Sequence, residues 1–546
     1  MSNIFRNRLR ILLLAISVSL ATVETTSAAP LGTTVVVAIS GDAAPDGNGN
    51  LSEFGTSPTL NDWGQVAFRA NFADSAGNFT GSGVVRGDGA MLTQIARTGQ
   101  AAPDGDGNIS SFFVSNSFGL TALNNAGQVA FLASLSGTSG GTDDNDRIFR
   151  GDGVTLTQMA SEAQSPPDGN GVFRNLGLSD PALNAAGQVA FRGVLTGTTG
   201  GTVDDVGIFR GDGSGLTQIV REGQAAPDGN GSFSNLFASL LNDAGQVAFR
   251  FVLTGTSGGS ADDSGVFRGD GGTLTLIARA GQDAPDGNGR FSNFNNSLPT
   301  LNSAGQVAFR FFLNNTSGGS ADDTGIFRGE GSSAPIQVAR EGQAAPDGNG
   351  TFSGFDHPTL NDVGQTAFGG FLTGTVGGTA DDVGLFRGDG VTFTQIAREG
   401  QAAPDGNGNF SGFLSTINYS AALNNAGQVA LLASLTGTSG GATDDRGIYF
   451  FDDVLGLLPV AREGNSFLGS SITQLSFNML ASDEHNGFNE RGHVAFQFEL
   501  ADGRSGIAIW SVPEPGTALL ALGGLSLVMA AWRRMVLPVS DREYAE

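Results

Sequence analysis

The stretch Leu241-Asn242-Asp243-Ala244-Gly245-Gln246-Val247-Ala248-Phe249 constrains this chain more than any other feature, because near-copies of it recur almost from end to end. The leading Asn falls at 61, 124, 184, 242, 302, 361, 424 and 489, at intervals of 63, 60, 58, 60, 59, 63 and 65 residues. A period that regular marks eight tandem copies of one supersecondary unit, which bury their apolar faces by stacking on one another. The 546 residues therefore read as one stacked body rather than several unrelated domains.

Within the unit from Phe233 to Arg279 there are four short apolar runs: Phe233 to Leu241, Gln246 to Leu253, Gly265 to Arg268 and Leu274 to Arg279. Each is rich in Phe, Val, Ile and Leu and bounded by Gly, Asn, Asp or Ser, the punctuation of strands. Four strands in about 60 residues, repeated, is the pattern of β-propeller blades. The expected fold is all-β: an eight-bladed propeller of four-stranded antiparallel blades. An open solenoid is the structural rival.

Connection lengths place the blade boundary. Strands one and two are joined by Asn242-Asp243-Ala244-Gly245, and strands three and four by the turn around Gly269-Asp270-Gly271-Gly272; both are hairpin-sized. The other two links are long, and the link between blades must be one of them. In the last unit strands two and three are joined only by Ala501 to Ser505, whereas Glu463 to Ser471 stays long. The boundary therefore lies in the link that carries Pro285-Asp286-Gly287-Asn288-Gly289. The chain then begins with a lone fourth strand, Thr34 to Ile39, and ends with a lone third strand, Gly506 to Trp510. Setting Val35 to Ile39 beside Ile507 to Trp510 closes the ring and removes its open edges.

In such a meander all the long links share one face of the disc. That face gathers Asp143-Asp144, Asp204-Asp205, Asp262-Asp263, Asp322-Asp323, Asp381-Asp382 and Asp444-Asp445, with Asp46, Asp104, Asp168, Asp228, Asp286, Asp347 and Asp405. Hard cations such as Ca²⁺ take six to eight oxygen ligands, so this rim is a candidate for weak calcium binding. Plain turn chemistry is the competing reading. On the opposite face the Arg-Gly-Asp tripeptides at 86, 150, 210, 268 and 387 are read as hairpin turns.

Composition excludes some partners. The net charge of −25, with 28 basic residues and no Lys, argues against a nucleic-acid backbone or an anionic membrane surface. There is no Cys, so there are no disulfides or thiolate sites. The three His, at 357, 485 and 493, fall at unlike repeat positions, and no catalytic constellation is evident.

The two ends speak of export. Arg6, Arg8 and Arg10, the apolar stretch Ile11 to Ala21 and Thr26-Ser27-Ala28 read as a signal peptide over 1–28. The repeat body is expected over 33–511. Residues 512–546 carry Pro513-Glu514-Pro515, an apolar run from Thr517 to Trp532, and Arg533-Arg534. This order resembles the PEP-CTERM sorting signal. The resemblance implies a transmembrane helix, processing by an exosortase near Pro513-Glu514-Pro515, and release to the cell surface or extracellular matrix; a plain C-terminal anchor is the alternative. The Asn-x-x-Gly-x-Val-Ala-Phe copies themselves resemble the NxxGxxAF tandem repeats of secreted bacterial proteins, which implies export and display but no activity. The functional expectation is a non-catalytic binding or structural module, with extracellular polysaccharide or matrix as the partner. Its rival is a carbohydrate-active or other hydrolase on a propeller scaffold.

Overall fold

The computed structural model describes residues 32–112, 121–177, 180–294, 297–413, 421–479 and 486–512. The chain divides into two units, Val35–Trp510 and a second made of Met1–Thr34 with Ser511–Glu546. The expected signal peptide, the Pro513-Glu514-Pro515 motif, the apolar run after it, Arg533-Arg534 and His485 lie outside the described residues. Among the described residues no helix is long and apolar enough to cross a membrane.

Val35–Trp510 is an eight-bladed β-propeller. Blade four shows the pattern: an inner strand Ser232–Leu241, a second strand Val247–Thr254, a third Ser264–Gly269 and an outer strand Leu274–Arg279, paired antiparallel in that order. Closure follows the expected strand exchange. Thr33–Ile39 lies beside Ser505–Ser511 as the outer strand of the last blade, and the Ser40 amide donates to the Ser505 carbonyl at 2.8 Å.

The period-two alternation of the repeat motif sets the packing between blades. Val247 and Phe249 point to one side of blade four, where with Phe233 and Phe267 they pack on Ile208, Ile219 and Val220 of blade three. Ala248 points to the other side, where with Val266, Ile277 and Ala278 it receives Phe291, Phe309 and Phe327 of blade five. Each blade thus sets a Phe face against its neighbour's face of smaller side chains. Phe249 and Phe267 are fully buried, and each such side chain contributes about 1.5–3 kcal/mol of transfer free energy.

The inner strand departs from expectation. It was read as one run, yet in blades one, two, three, five, six and seven it breaks into two pieces that both pair with the second strand; in blade one these are Asn50–Phe54 and Thr59–Leu60. The cause is legible residue by residue. Pro58, Pro181, Pro299 and Pro358 stand just before the second piece, and proline cannot donate to the ladder. Blades two and seven have no proline there but carry longer insertions between the pieces. Blade four has Ser239 instead, and its inner strand runs unbroken.

Candidate functional site

The Asn of the motif makes the turn and also closes the molecule. Asn242 Nδ2 donates to the Asn302 carbonyl of the next blade at 3.0 Å and to its own blade's Gln246 Oε1 at 3.1 Å, while its Oδ1 accepts the Gln246 amide at 2.9 Å. The same inter-blade bond links Asn61 to Asn124, Asn124 to Asn184, Asn184 to Asn242, Asn302 to Asn361, Asn361 to Asn424, Asn424 to Asn489, and Asn489 to Asn61. Eight buried carboxamides form a closed ring around the axis. The sequence reading had assigned them to the turn alone.

The Arg-Gly-Asp turns are structural too. Arg210 donates to the carbonyl of Gly245 in the next blade, as Arg86 does to Gly127, Arg150 to Gly187, Arg268 to Gly305 and Arg387 to Gly427. Asp212 accepts the amides of Ser214 and Gly215, which completes an Asx turn.

On the long-link face the acids divide into three groups. Those of the Pro-Asp-Gly links are paired with buried arginines of the outer strand of their own blade: Asp46 with Arg97, Asp168 with Arg221, Asp228 with Arg279, Asp286 with Arg340, Asp347 with Arg398 and Asp405 with Arg462, at 2.6–2.9 Å. Arg221 shows the whole clasp. Its Nη1 takes Asp168, its Nη2 the Asn170 carbonyl and its Nε the Asp204 carbonyl, so one guanidinium ties the blade's two long links together. A second group caps its own loop: Asp144, Asp204, Asp262, Asp322 and Asp444 each accept a glycine amide four residues back, at Gly140, Gly200, Gly258, Gly318 and Gly440, and Asp381 accepts Asn349 Nδ2 at 2.7 Å.

The third group is Asp205, Asp263, Asp323, Asp382 and Asp445, whose backbone carbonyls accept a second-strand amide. Four of these five have close by the glutamate that follows the outer strand. Burial, with Asp205 beside it, pushes the Glu222 carboxyl up to about 7, and Glu341 beside Asp323 and Glu399 beside Asp382 behave alike. Glu463 near Asp445 is also raised by burial. Asp143 stands one residue out of step, at the place held by Val203 in blade three, and belongs to none of these groups. Among the described residues there is no group of three or more acids or histidines arranged to hold a metal ion.

The tight-turn face carries acids that the sequence reading passed over. The residue after each ring Asn is Asp62, Asn125, Ala185, Asp243, Ser303, Asp362, Asn425 or Glu490. Asp62, Asp243, Asp362 and Glu490 line an axial cavity of about 260 Å³. Neighbouring turns bracket one another there: Glu490 donates its amide to Asp62 and accepts that of Asn425. Burial raises the Glu490 carboxyl to about 7, and the charges of Asp62 and Asp362 add to the shift. The signal was present in the sequence as an acid or amide following most of the repeat Asn residues.

One position on the second strand varies around the ring. The residue after the Ala-Phe pair, which is Ala430-Leu431 in blade seven, is Arg69, Leu132, Arg192, Arg250, Arg310, Gly369, Leu432 or Gln497 in blades one to eight. Arg69 and Arg310 donate to the carbonyls of Phe112 and Phe355, where the next blade's inner strand breaks. Arg192 and Arg250, from adjacent blades, lie 5.9 and 4.2 Å from the ring centre of Phe237. His357, in blade six, is held down to about 4 by burial and by the charges of Arg310 and Arg250.

Two cavities on the outer edge, of about 650 and 480 Å³, occupy repeat-equivalent positions, one around Gln218 and Arg221 and the other around Gln94 and Arg97. Their equivalence marks them as products of the architecture.

Among solved structures the chain is similar to an oligogalacturonate lyase in complex with manganese, at 12% identity over 89% of this chain and 99% of that one, with a TM-score of 0.31. It is also similar to the Pyrococcus horikoshii acylaminoacyl peptidase, at 10% identity over 82% of this chain and 58% of that one, with a TM-score of 0.32. Trypanosoma rangeli sialidase matches at 10% identity over 93% of this chain and 62% of that one, with a TM-score of 0.28. Likenesses at this level carry no statement about activity. No curated protein matches the sequence. The model of a family of unknown function matches residues 26–224 and 204–519, and the chain belongs to that family, DUF7453.

Proposed function

We propose that this chain is an exported, surface-displayed or matrix-associated propeller that acts as a non-catalytic binding module, with extracellular polysaccharide as its partner and an exosortase as its processing enzyme. The observation that supports the reading is how the repeated polar side chains are used. The ring asparagines, the clasp arginines and the turn arginines are spent on neighbouring backbone and carboxylates, which builds a rigid, solvated disc and leaves departures from the repeat near the axis. The C-terminal order of Pro513-Glu514-Pro515, apolar run and Arg533-Arg534 supplies the sorting part of the reading.

A glycan array probed with the purified chain tests the binding function: reproducible capture of a polysaccharide class supports it, and a blank array with folded protein removes it. Mass spectrometry of the protein from its native host tests processing. A mature C-terminus near Pro515 is expected, and an intact Glu546 would overturn exosortase processing.

One observation favours a hydrolase as the second reading. Glu490, raised to about 7, lines a cavity with the carboxylates Asp62 and Asp362, a pairing of proton donor and base that hydrolases use. Glycosidase assays on the chain and on Glu490→Gln decide it, since turnover that Glu490→Gln abolishes would establish this reading over the first.

A further inference from the structure

The residue after the motif's Ala-Phe pair is Arg in blades one, three, four and five and uncharged in the other four. Leu132 and Leu432 occupy the position of Arg250 in blades two and seven and Gly369 occupies it in blade six, so the architecture does not require a cation there. Yet three successive blades, three, four and five, place Arg192, Arg250 and Arg310 at it.

Shared neighbours link the three. Arg192 and Arg250 share the ring of Phe237, at 5.9 and 4.2 Å, and Arg250 and Arg310 both act on His357 two blades and one blade away. Their compensation differs. Arg310 has the Phe355 carbonyl as acceptor and Asp356 as a nearby acid, and Arg192 has Glu222 nearby. Arg250 makes neither a hydrogen bond nor an ion pair with any described residue, and its Nε, like that of Arg310, is buried without an acceptor.

A half-buried guanidinium in that condition costs free energy that a bound anion would return. In a chain of net charge −25, three cations drawn together run against the overall field. The Phe237 ring holds the Arg192 and Arg250 guanidiniums near one another.

We propose that Arg192, Arg250 and Arg310, with Phe237, form a binding site for a carboxylate-bearing ligand, an acidic sugar unit, in blades three to five. The proposal rests on the binding-module reading and narrows its partner to acidic polysaccharide. Arg250 supplies the unshared donors, and Arg192 and Arg310 flank it. His357 is a neutral reporter of the site, because an anion beside it raises its pKa.

The test is calorimetric titration of the chain with a β-1,4-linked glucuronate tetramer, with the corresponding neutral glucose tetramer, and with sulfate. The glucuronate tetramer is expected to bind one per chain, to weaken several-fold between 50 and 200 mM salt, and to move the His357 ring resonances in the NMR spectrum. Arg250→Leu, which installs the side chain that blades two and seven already carry, is expected to fold with an unchanged melting temperature and to lose at least tenfold in affinity. Arg192→Leu is the second variant, with a smaller loss. Equal binding of the two tetramers, or unchanged affinity in Arg250→Leu, overturns the acidic site while leaving a binding module standing. Binding of sulfate with no preference for the tetramer shows an anion site without sugar specificity and overturns the ligand assignment. No binding of any probe overturns the site, and the glycan array then judges the broader reading by itself.

Discussion

Arg147 and Ser161 face each other across the third and outer strands of blade two, and they are an exchanged pair. In blade three Gly207 faces Arg221, and Gly83 faces Arg97, Gly265 faces Arg279, Gly325 faces Arg340, Gly384 faces Arg398 and Gly447 faces Arg462. The glycine is required because a Cβ at Gly265 would meet the Ala278 carbonyl oxygen at 2.3 Å and the Phe251 ring at 2.7 Å. Blade two moves the guanidinium to the third strand, and Arg147 still reaches Asp104 and Asp106 of the same link.

This exchange predicts a strongly non-additive pair of substitutions. Arg147→Gly removes the clasp and leaves two acids without their cation, at a cost of about 1–3 kcal/mol. Adding Ser161→Arg rebuilds the arrangement of the other blades and recovers most of that loss. Hydrogen exchange of the link amides at 101–109 reads the effect locally: faster in the single variant, near wild type in the double. Additive losses would show that the two positions do not share one role.

The asparagine ring predicts that one carboxamide matters as much at the closing junction as elsewhere. Asn489→Ala deletes the bond to the Asn61 carbonyl at 2.9 Å and the acceptor of the His493 amide, also at 2.9 Å. Leaving buried partners unsatisfied costs about 1–3 kcal/mol for each group. At the last blade the ring is closed by pairing of Thr33–Ile39 with Ser505–Ser511 rather than by continuous chain, so exchange of those strand amides should rise together with a fall in melting temperature. Asn242→Ala, inside a continuous run of chain, should lower the melting temperature without that selective opening.

How far the fold could be read beforehand follows from the physics of each feature. Strand count, blade boundary and closure came from turn chemistry and loop length, which are local and repeated eight times. The broken inner strand was written in Pro58, Pro181, Pro299 and Pro358, but an apolar run hides a proline when only periodicity is followed. The site fared worse. Asp168 and Arg221 are 53 residues apart, and nothing local to either says that they meet; the rim therefore read as a band of unpaired acids. Arg250 was passed over for another reason: a position that is Arg in four blades and Leu, Gly or Gln in the others carries meaning only once neighbouring blades are known to bring its cations to shared neighbours.

The glutamates that follow the outer strands predict an unusual dependence of stability on pH. Glu222, Glu341 and Glu399 stand at about 7 in the folded chain against about 4.3 for an unfolded glutamate. Between those values the folded state holds more protons than the unfolded state, so stability falls as pH rises from about 4.5 to 7. Carboxyls such as Asp381, held below the usual range by hydrogen bonds from Thr375 and Asn349, act in the opposite sense and lose their contribution in more acidic solution. Maximum stability is therefore expected near pH 5. Glu341→Gln should raise the melting temperature at pH 8, by an effect of about 1–2 kcal/mol, and do little at pH 5. An equal effect at both values would assign the gain to something other than ionisation.

The same pairs govern what calcium can do on this rim. Asp286, Asp347 and Asp405 are engaged by Arg340, Arg398 and Arg462, and Asp204, Asp262, Asp322 and Asp444 cap their loops, which leaves pairs of the kind Asp205–Glu222, Asp323–Glu341, Asp382–Glu399 and Asp445–Glu463. Two carboxylates are few against the six to eight oxygens that calcium takes, so any site is weak, and below about pH 7 it competes with the proton that burial favours. Millimolar calcium is therefore expected to raise the melting temperature at pH 8 and to leave it unchanged at pH 5.5, and Glu222→Gln combined with Glu341→Gln, Glu399→Gln and Glu463→Gln should abolish the rise. Identical melting at pH 8 in calcium and in chelator would remove calcium from the rim and leave these pairs as proton sites alone.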